Sequence, residues 1–101
     1  MSAELTVISW RDIPVQVVAS VGRKKARAQL SSRFQEAIDA AAMKAGLEGT
    51  DEYLAQWTRA SRPCGQDLQV EANDEAERIE EAWSDAELLD AVRAEGIVPA
   101  P

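Results

Sequence analysis

VQVVASVGRKKARAQL, the stretch from Val15 to Leu30, alternates apolar and polar positions on either side of a glycine-containing turn. Val15, Val17, Ala19 and Val21 fall on one side and Gln16, Val18 and Ser20 on the other, the period of two expected of a strand with one buried face. Gly22-Arg23-Lys24-Lys25 supplies the turn. Ala26, Ala28 and Leu30 then alternate with Arg27 and Gln29, so the stretch predicts a β-hairpin. Alanine and arginine are mediocre strand formers, and residues 24–30 also fit the opening of a helix.

Upstream, Glu4 to Trp10 (ELTVISW) is rich in β-branched and aromatic residues, with Leu5 and Val7 on one face and Ile8 and Trp10 on the other. This predicts a strand that is apolar on both faces. Arg11-Asp12-Ile13-Pro14 follows, and because proline cannot donate to a ladder and pushes the residue before it toward extended geometry, the strand is expected to end or turn there.

Downstream, Ser32 and Gln35 form a capping-box pattern, and Phe34, Ala37, Ile38, Ala41, Ala42 and Ala45 recur at helical spacing up to Gly46. The alanine-rich face of this helix would let it lie directly on the sheet. A second helix opens at Thr50, with Asp51 and Glu52 in its electropositive first turn and Tyr53, Leu54 and Trp57 inward, and fades before Pro63. Ser61 to Asp67 reads as a loop. Leu68 to Ala72 alternates well enough for a short edge strand, though a helix start fits the same residues. Asn73 is the expected cap of a helix carrying Ala76, Ile79, Ala82 and Trp83 on one stripe. Ser84 with Glu87 repeats the capping box, placing Leu88, Leu89 and Val92 in a last helix that ends near Gly96.

The order of elements argues for an α+β fold: a small antiparallel sheet, made of the N-terminal strand, the hairpin and a candidate fourth edge strand at 68–72, covered by three to four helices. The competing architecture is a helical domain carrying an N-terminal hairpin. Residues 1–96 are expected to form a single domain, with 97–101 as a flexible tail; 101 residues is an ordinary size for one core and short for two.

Composition removes several chemistries. With no histidine, imidazole acid/base catalysis, histidine triads and His-containing zinc sites are excluded, and with Cys64 as the only cysteine so are intrachain disulfides and multi-cysteine metal sites. No cofactor or metal site is expected. The single thiol fits a reducing compartment, and the N-terminal residues lack the basic segment of an export signal, so the expected location is cytoplasmic, with no membrane association. The net charge of −7 is unevenly divided. Residues 1–66 carry nine basic and seven acidic side chains, against two basic and eleven acidic over 67–101.

Arg23, Lys24, Lys25, Arg27 and Arg33 form the one basic cluster, suited to phosphates, a cofactor tail or an acidic partner; the plainer reading is a solvated turn whose charges protect a sheet edge. Nucleic acid is disfavoured because no aromatic residue is interleaved with these cations. Trp10, Arg11 and Asp12 stand where a strand leaves the sheet, a place from which side chains can be aimed at a ligand, though an Arg–Asp pair locking the bend is the simpler account. Asp12 with Glu36 or Asp39 is a further carboxylate pairing to consider. Cys64, near Arg62, could have a lowered thiol pKa, but with no histidine to act as base an incidental thiol is favoured. Trp10, Trp57 and Trp83 read first as core, and any exposed one as a partner anchor.

Trp10-Arg11-Asp12-Ile13-Pro14, Ser32-Arg33-Phe34-Gln35-Glu36-Ala37-Ile38-Asp39, Ala41-Ala42-Met43-Lys44-Ala45-Gly46 and Gly49-Thr50-Asp51-Glu52-Tyr53-Leu54 together resemble the small bacterial virulence factor domain family. The domain is shared with conserved virulence factor C proteins, where it accompanies an iron–sulfur-scaffold-type domain and helical repeats. The resemblance covers residues 4–60 and implies no catalytic residues; it also implies one-carbon and methyl-transfer gene contexts for stand-alone members. The resulting expectation is an accessory or adaptor protein acting by protein–protein binding, with one-carbon or cofactor metabolism as its setting. The alternative is a ligand-binding or catalytic subunit using Arg11 and Asp12 with the basic hairpin.

Overall fold

A computed structural model describes residues 2–98 of the chain. Its elements run β1 (Ala3–Trp10), β2 (Ile13–Val21), β3 (Lys24–Gln29), α1 (Ser32–Ala45), α2 (Asp51–Ala55), β4 (Trp57–Cys64), α3 (Leu68–Ala82) and α4 (Asp85–Arg93). The fold is α+β, as the patterning predicts. All strand pairs are antiparallel, in the order β3-β2-β1-β4. α3 lies across β2 and β3, and α1 packs on β2 and on α4.

The hairpin register follows from its alternation. Val17 pairs with Ala28 and Ala19 with Ala26, while Val21 and Lys24 close a two-residue turn whose first residue, Gly22, has a φ of 58°. Val15, Val17 and Ala19 are buried on the helix-covered side, together with Leu5 of β1. Phe34, Ile38, Ala41 and Ala42 of α1, Ala72 and Ala76 of α3, and Leu88 and Ala91 of α4 complete the core. The alanines let the helices approach closely, and burying each large side chain contributes about 1.5–3 kcal/mol.

Several elements differ from the sequence expectation. The first strand ends as expected, turning at Arg11 and Asp12, but Pro14 itself sits inside β2, opposite Ser9, at a register shift that leaves Val15 unmatched on β1. β3 pairs with β2 only from Gln16 onward, so no ladder on that side requires the missing proline N–H. The helix opened by Thr50 stops at Ala55, with Leu54 exposed rather than inward, and the residues after it form β4. Trp57 therefore belongs to a strand, and the expected loop begins only after Cys64. The fourth edge strand is thus 57–64, not 68–72. Leu68 to Ala72 is the first turn of α3, capped by Asp67, whose side chain accepts from the Val70 N–H; Asn73 lies inside that helix.

At α1 the N-cap is Ser31, and it makes no side-chain cap to the helix. Ser31 is instead held by a carboxylate from α3. Glu80 accepts from the Ser31 N–H at 2.6 Å and from its hydroxyl at 2.8 Å, and Gln35 turns instead to Asp39. The Gly46 end and the Ser84–Glu87 capping box of α4 follow the expectation. Of the tail expected over 97–101, only Ile97 and Val98 are among the described residues; the remainder lies outside them.

Candidate functional site

Pairing across four antiparallel strands places directly opposed residues on one face, so the register writes out the side of the sheet away from the helices. Three rows cross it: Gln29, Gln16, Ile8 and Arg59; Arg27, Val18, Thr6 and Ser61; and Lys25, Ser20, Glu4 and Pro63. None of these residues is buried. The Thr6 and Ser61 hydroxyls hydrogen-bond at 2.8 Å across β1 and β4, fixing the middle row. Alternation that buries Val17 and Ala19 necessarily turns Lys25 and Arg27 outward.

Nine of the eleven lysines and arginines fall into two groups, with Arg11 in the β1–β2 turn and Lys44 on α1 standing apart from both. Arg33, Arg62, Arg78 and Arg93 form ion pairs with Glu80 and Asp85, Glu75, Glu75 and Asp90 respectively. Arg23, Lys24, Lys25, Arg27 and Arg59 form none among the described residues, and all five are exposed on the hairpin turn or the open face. Arg33 thus leaves the basic cluster in which its sequence position placed it. Its Nη1 donates to Asp85 at 3.0 Å, its Nη2 to the Glu80 carbonyl at 2.9 Å, and its guanidinium lies over the Phe34 ring. Arg59 lies on the same open face at the opposite edge, three strands across from Gln29 in its row. Only the β1–β4 register reveals it, because residues 57–64 carry no strand pattern of their own.

Trp10, Arg11 and Asp12 are brought together, Trp10 buried, Arg11 half-buried and Asp12 exposed. Trp10 has no exposed surface; its indole N–H donates to the Tyr53 carbonyl at 2.9 Å and its ring stacks on Tyr53. Arg11, at φ 51°, lies over the Trp10 ring and donates to the Gln56 side chain and, at 2.9 Å, to the Glu95 carbonyl. Asp12 accepts from the Val98 N–H at 2.7 Å, and its own N–H donates to the Gly96 carbonyl. The expected Arg11–Asp12 ion pair does not form; each residue separately ties the β1–β2 turn to the segment after α4.

A family profile described as Virulence factor matches residues 8–92, most of the chain. The chain belongs to the virulence factor family. No curated protein and no solved structure matches it. For this family member the matched span takes in the Trp10–Asp12 turn, the whole hairpin, Arg59 and nearly all of α4.

The remaining candidates have local roles. Asp12 and Asp39 each accept a hydrogen bond, from Val98 and Gln35. Cys64 ends β4 half-buried and free, and burial together with the Glu71 charge raises its thiol pKa despite Arg62 nearby, so the protonated form is favoured. Among the described residues no group of three or more Cys, Asp or Glu side chains is placed to hold a metal ion, and no helix is long and apolar enough to cross a membrane.

Proposed function

We propose that this virulence factor family member is a small accessory or adaptor protein that works by binding a protein partner, its basic hairpin and open sheet face meeting an acidic surface. The observation that carries this reading is the division of the cations. Four arginines are neutralised within the fold, whereas Arg23, Lys24, Lys25 and Arg27 at the hairpin, and Arg59 at the far edge of the same face, stand in solvent with no ion-pair partner among the described residues. On a chain of net charge −7, a local positive face attracts and orients an acidic partner while the acidic helices on the other side repel it. The three cross-strand rows hold no aromatic side chain on which bases could stack, which argues against nucleic acid. The family resemblance supports a setting in one-carbon or cofactor metabolism, and the single free thiol supports the cytoplasm.

The competing reading, a ligand-binding or catalytic subunit using Arg11 and Asp12, draws less support because both side chains are occupied by internal hydrogen bonds. The test starts with affinity purification of the full chain from its own cell and mass spectrometry of whatever accompanies it stoichiometrically. With that protein in hand, Lys24→Glu together with Lys25→Glu should slow association about tenfold or more at low salt and flatten its salt dependence. An unchanged association rate would remove the hairpin from the interface. Loss of a complex-level activity in Asp12→Ala, with partner binding intact, would favour the competing reading.

A further inference from the structure

We infer that the groove between the end of α3 and the outer side of α4 binds a small organic cation with a short apolar body. The site is independent of the basic sheet face. It is a cavity of about 520 Å³ walled by Trp83, with Ala91, Ala94 and Val98 lining it and the carboxylates of Glu87 and Asp90 beside them. That volume is in the range of small-molecule sites and larger than a single side chain needs.

Each part of the lining selects for a cation. Ala94 and Val98 offer methyl groups that accommodate methylenes and give a polar ligand nothing to bond, above the nearly buried Ala91. The Trp83 indole is held edge-on against Phe34, with ring centroids 6.3 Å apart at 75°, so its position is set before any ligand arrives. An indole is the strongest of the aromatic cation binders. Glu87 and Asp90 are three apart on α4 and therefore neighbours on its surface. One oxygen of Glu87 accepts from the Ser84 N–H, which fixes the carboxylate and leaves the other oxygen without a partner among the described residues. Asp90 has only a loose pair with Arg93, at 3.6 Å between two largely exposed side chains, which an incoming cation can displace. An anion would be repelled by both carboxylates, and a neutral apolar molecule would gain nothing from them.

The full chain can be titrated with n-butylammonium, and with n-butanol as the uncharged control of equal length, following the Trp83 indole N–H by proton–nitrogen NMR. That resonance is assigned by its loss in Trp83→Phe. A saturable shift with the amine, about fivefold or more weaker with the alcohol, is expected, the difference being that of a partly exposed charge interaction. Glu87→Gln with Asp90→Asn should weaken the amine to the level of the alcohol. Glutamine still serves a capping box, so α4 is retained. Ala94→Leu, which fills the groove without altering its charge, should abolish both responses and supplies an independent reading if the double variant does not fold. No saturable shift with the amine, equal responses to amine and alcohol, or undiminished amine binding in either variant would overturn the assignment.

Discussion

Gly96 lies against the six-membered ring of Trp10, so close that a Cβ added to it would stand 2.9 Å from Cζ3 and 3.2 Å from Cε3. The contact joins the two ends of the described chain. Gly96 has a φ of 86°, its carbonyl accepts from the Asp12 N–H, and its own N–H donates to the Ala91 carbonyl at 2.8 Å. Trp10 cannot swing aside, being fully buried and bonded to Tyr53. Gly96→Ala should therefore destabilise by about 2–4 kcal/mol, combining the strain of a side chain at positive φ with an overpacked indole. Urea denaturation measures this, and a variant of wild-type stability would show that the C-terminal turn does not seat on Trp10.

The Ser31–Glu80–Arg33 cluster predicts a pH dependence. Burial alone would raise the Glu80 pKa, but the N–H and hydroxyl of Ser31 and the bonds and charge of Arg33 together outweigh it and hold the pKa below the ordinary glutamate value. A carboxyl with a depressed folded-state pKa contributes stability that is fully present above its unfolded pKa of about 4.3 and is lost as pH falls through the folded value. Glu80→Gln should thus cost about 1–2 kcal/mol at neutral pH, the size of charged hydrogen bonds lost, with the gap to wild type closing in acid. Stability curves of both proteins from pH 7 to about 2 provide the check. A gap constant over that span would mean that Glu80 does not act through its charge.

The hairpin was legible because its alternation follows burial, as Val17 and Ala19 inside and Lys25 and Arg27 outside demonstrate. β4 was not, for the converse reason. Six of its eight residues are exposed, so nothing in WTRASRPC had to alternate, and an edge strand tolerates Pro63. Leu68, Val70 and Ala72 imitate a strand by accident. In α3 it is Ala72 and Ala76, four apart, that face the core, while Val70 is half exposed. The candidate sites fared similarly. The hairpin cations are neighbours in sequence and in space, whereas Arg33, close to them in number, is captured by Glu80 and Asp85 from the far third of the chain. Arg59 and the groove at Trp83 arise from pairings that no local pattern encodes.

A pair of substitutions in β2 and its turn tests the one-face-buried hairpin. Val17 has no exposed surface, and Val17→Asp buries a carboxylate with no cation to receive it, which should cost about 3–5 kcal/mol. Arg23→Ser, on the exposed turn, should remain within about 0.5 kcal/mol of wild type. Equal, small effects in a denaturant titration would contradict the register in which Val17 faces Ala28 and the helices.

Arg11 provides a test in which backbone and side chain can be separated. Its φ of 51° disfavours any residue with a Cβ, while its guanidinium donates to Gln56 and Glu95 and lies over Trp10. Arg11→Ala keeps the strained backbone and loses every one of those contacts, so it should destabilise by about 2–3 kcal/mol. Arg11→Gly loses the same contacts but relieves the backbone, and should recover about 1 kcal/mol of that loss. A residue held at this turn to touch a ligand rather than to lock the fold would give the opposite pattern: both variants near wild-type stability, with glycine no better than alanine. Urea titrations of the three proteins, with partner association measured alongside, decide between these outcomes, since a purely structural Arg11 leaves the hairpin and its association rate unaltered.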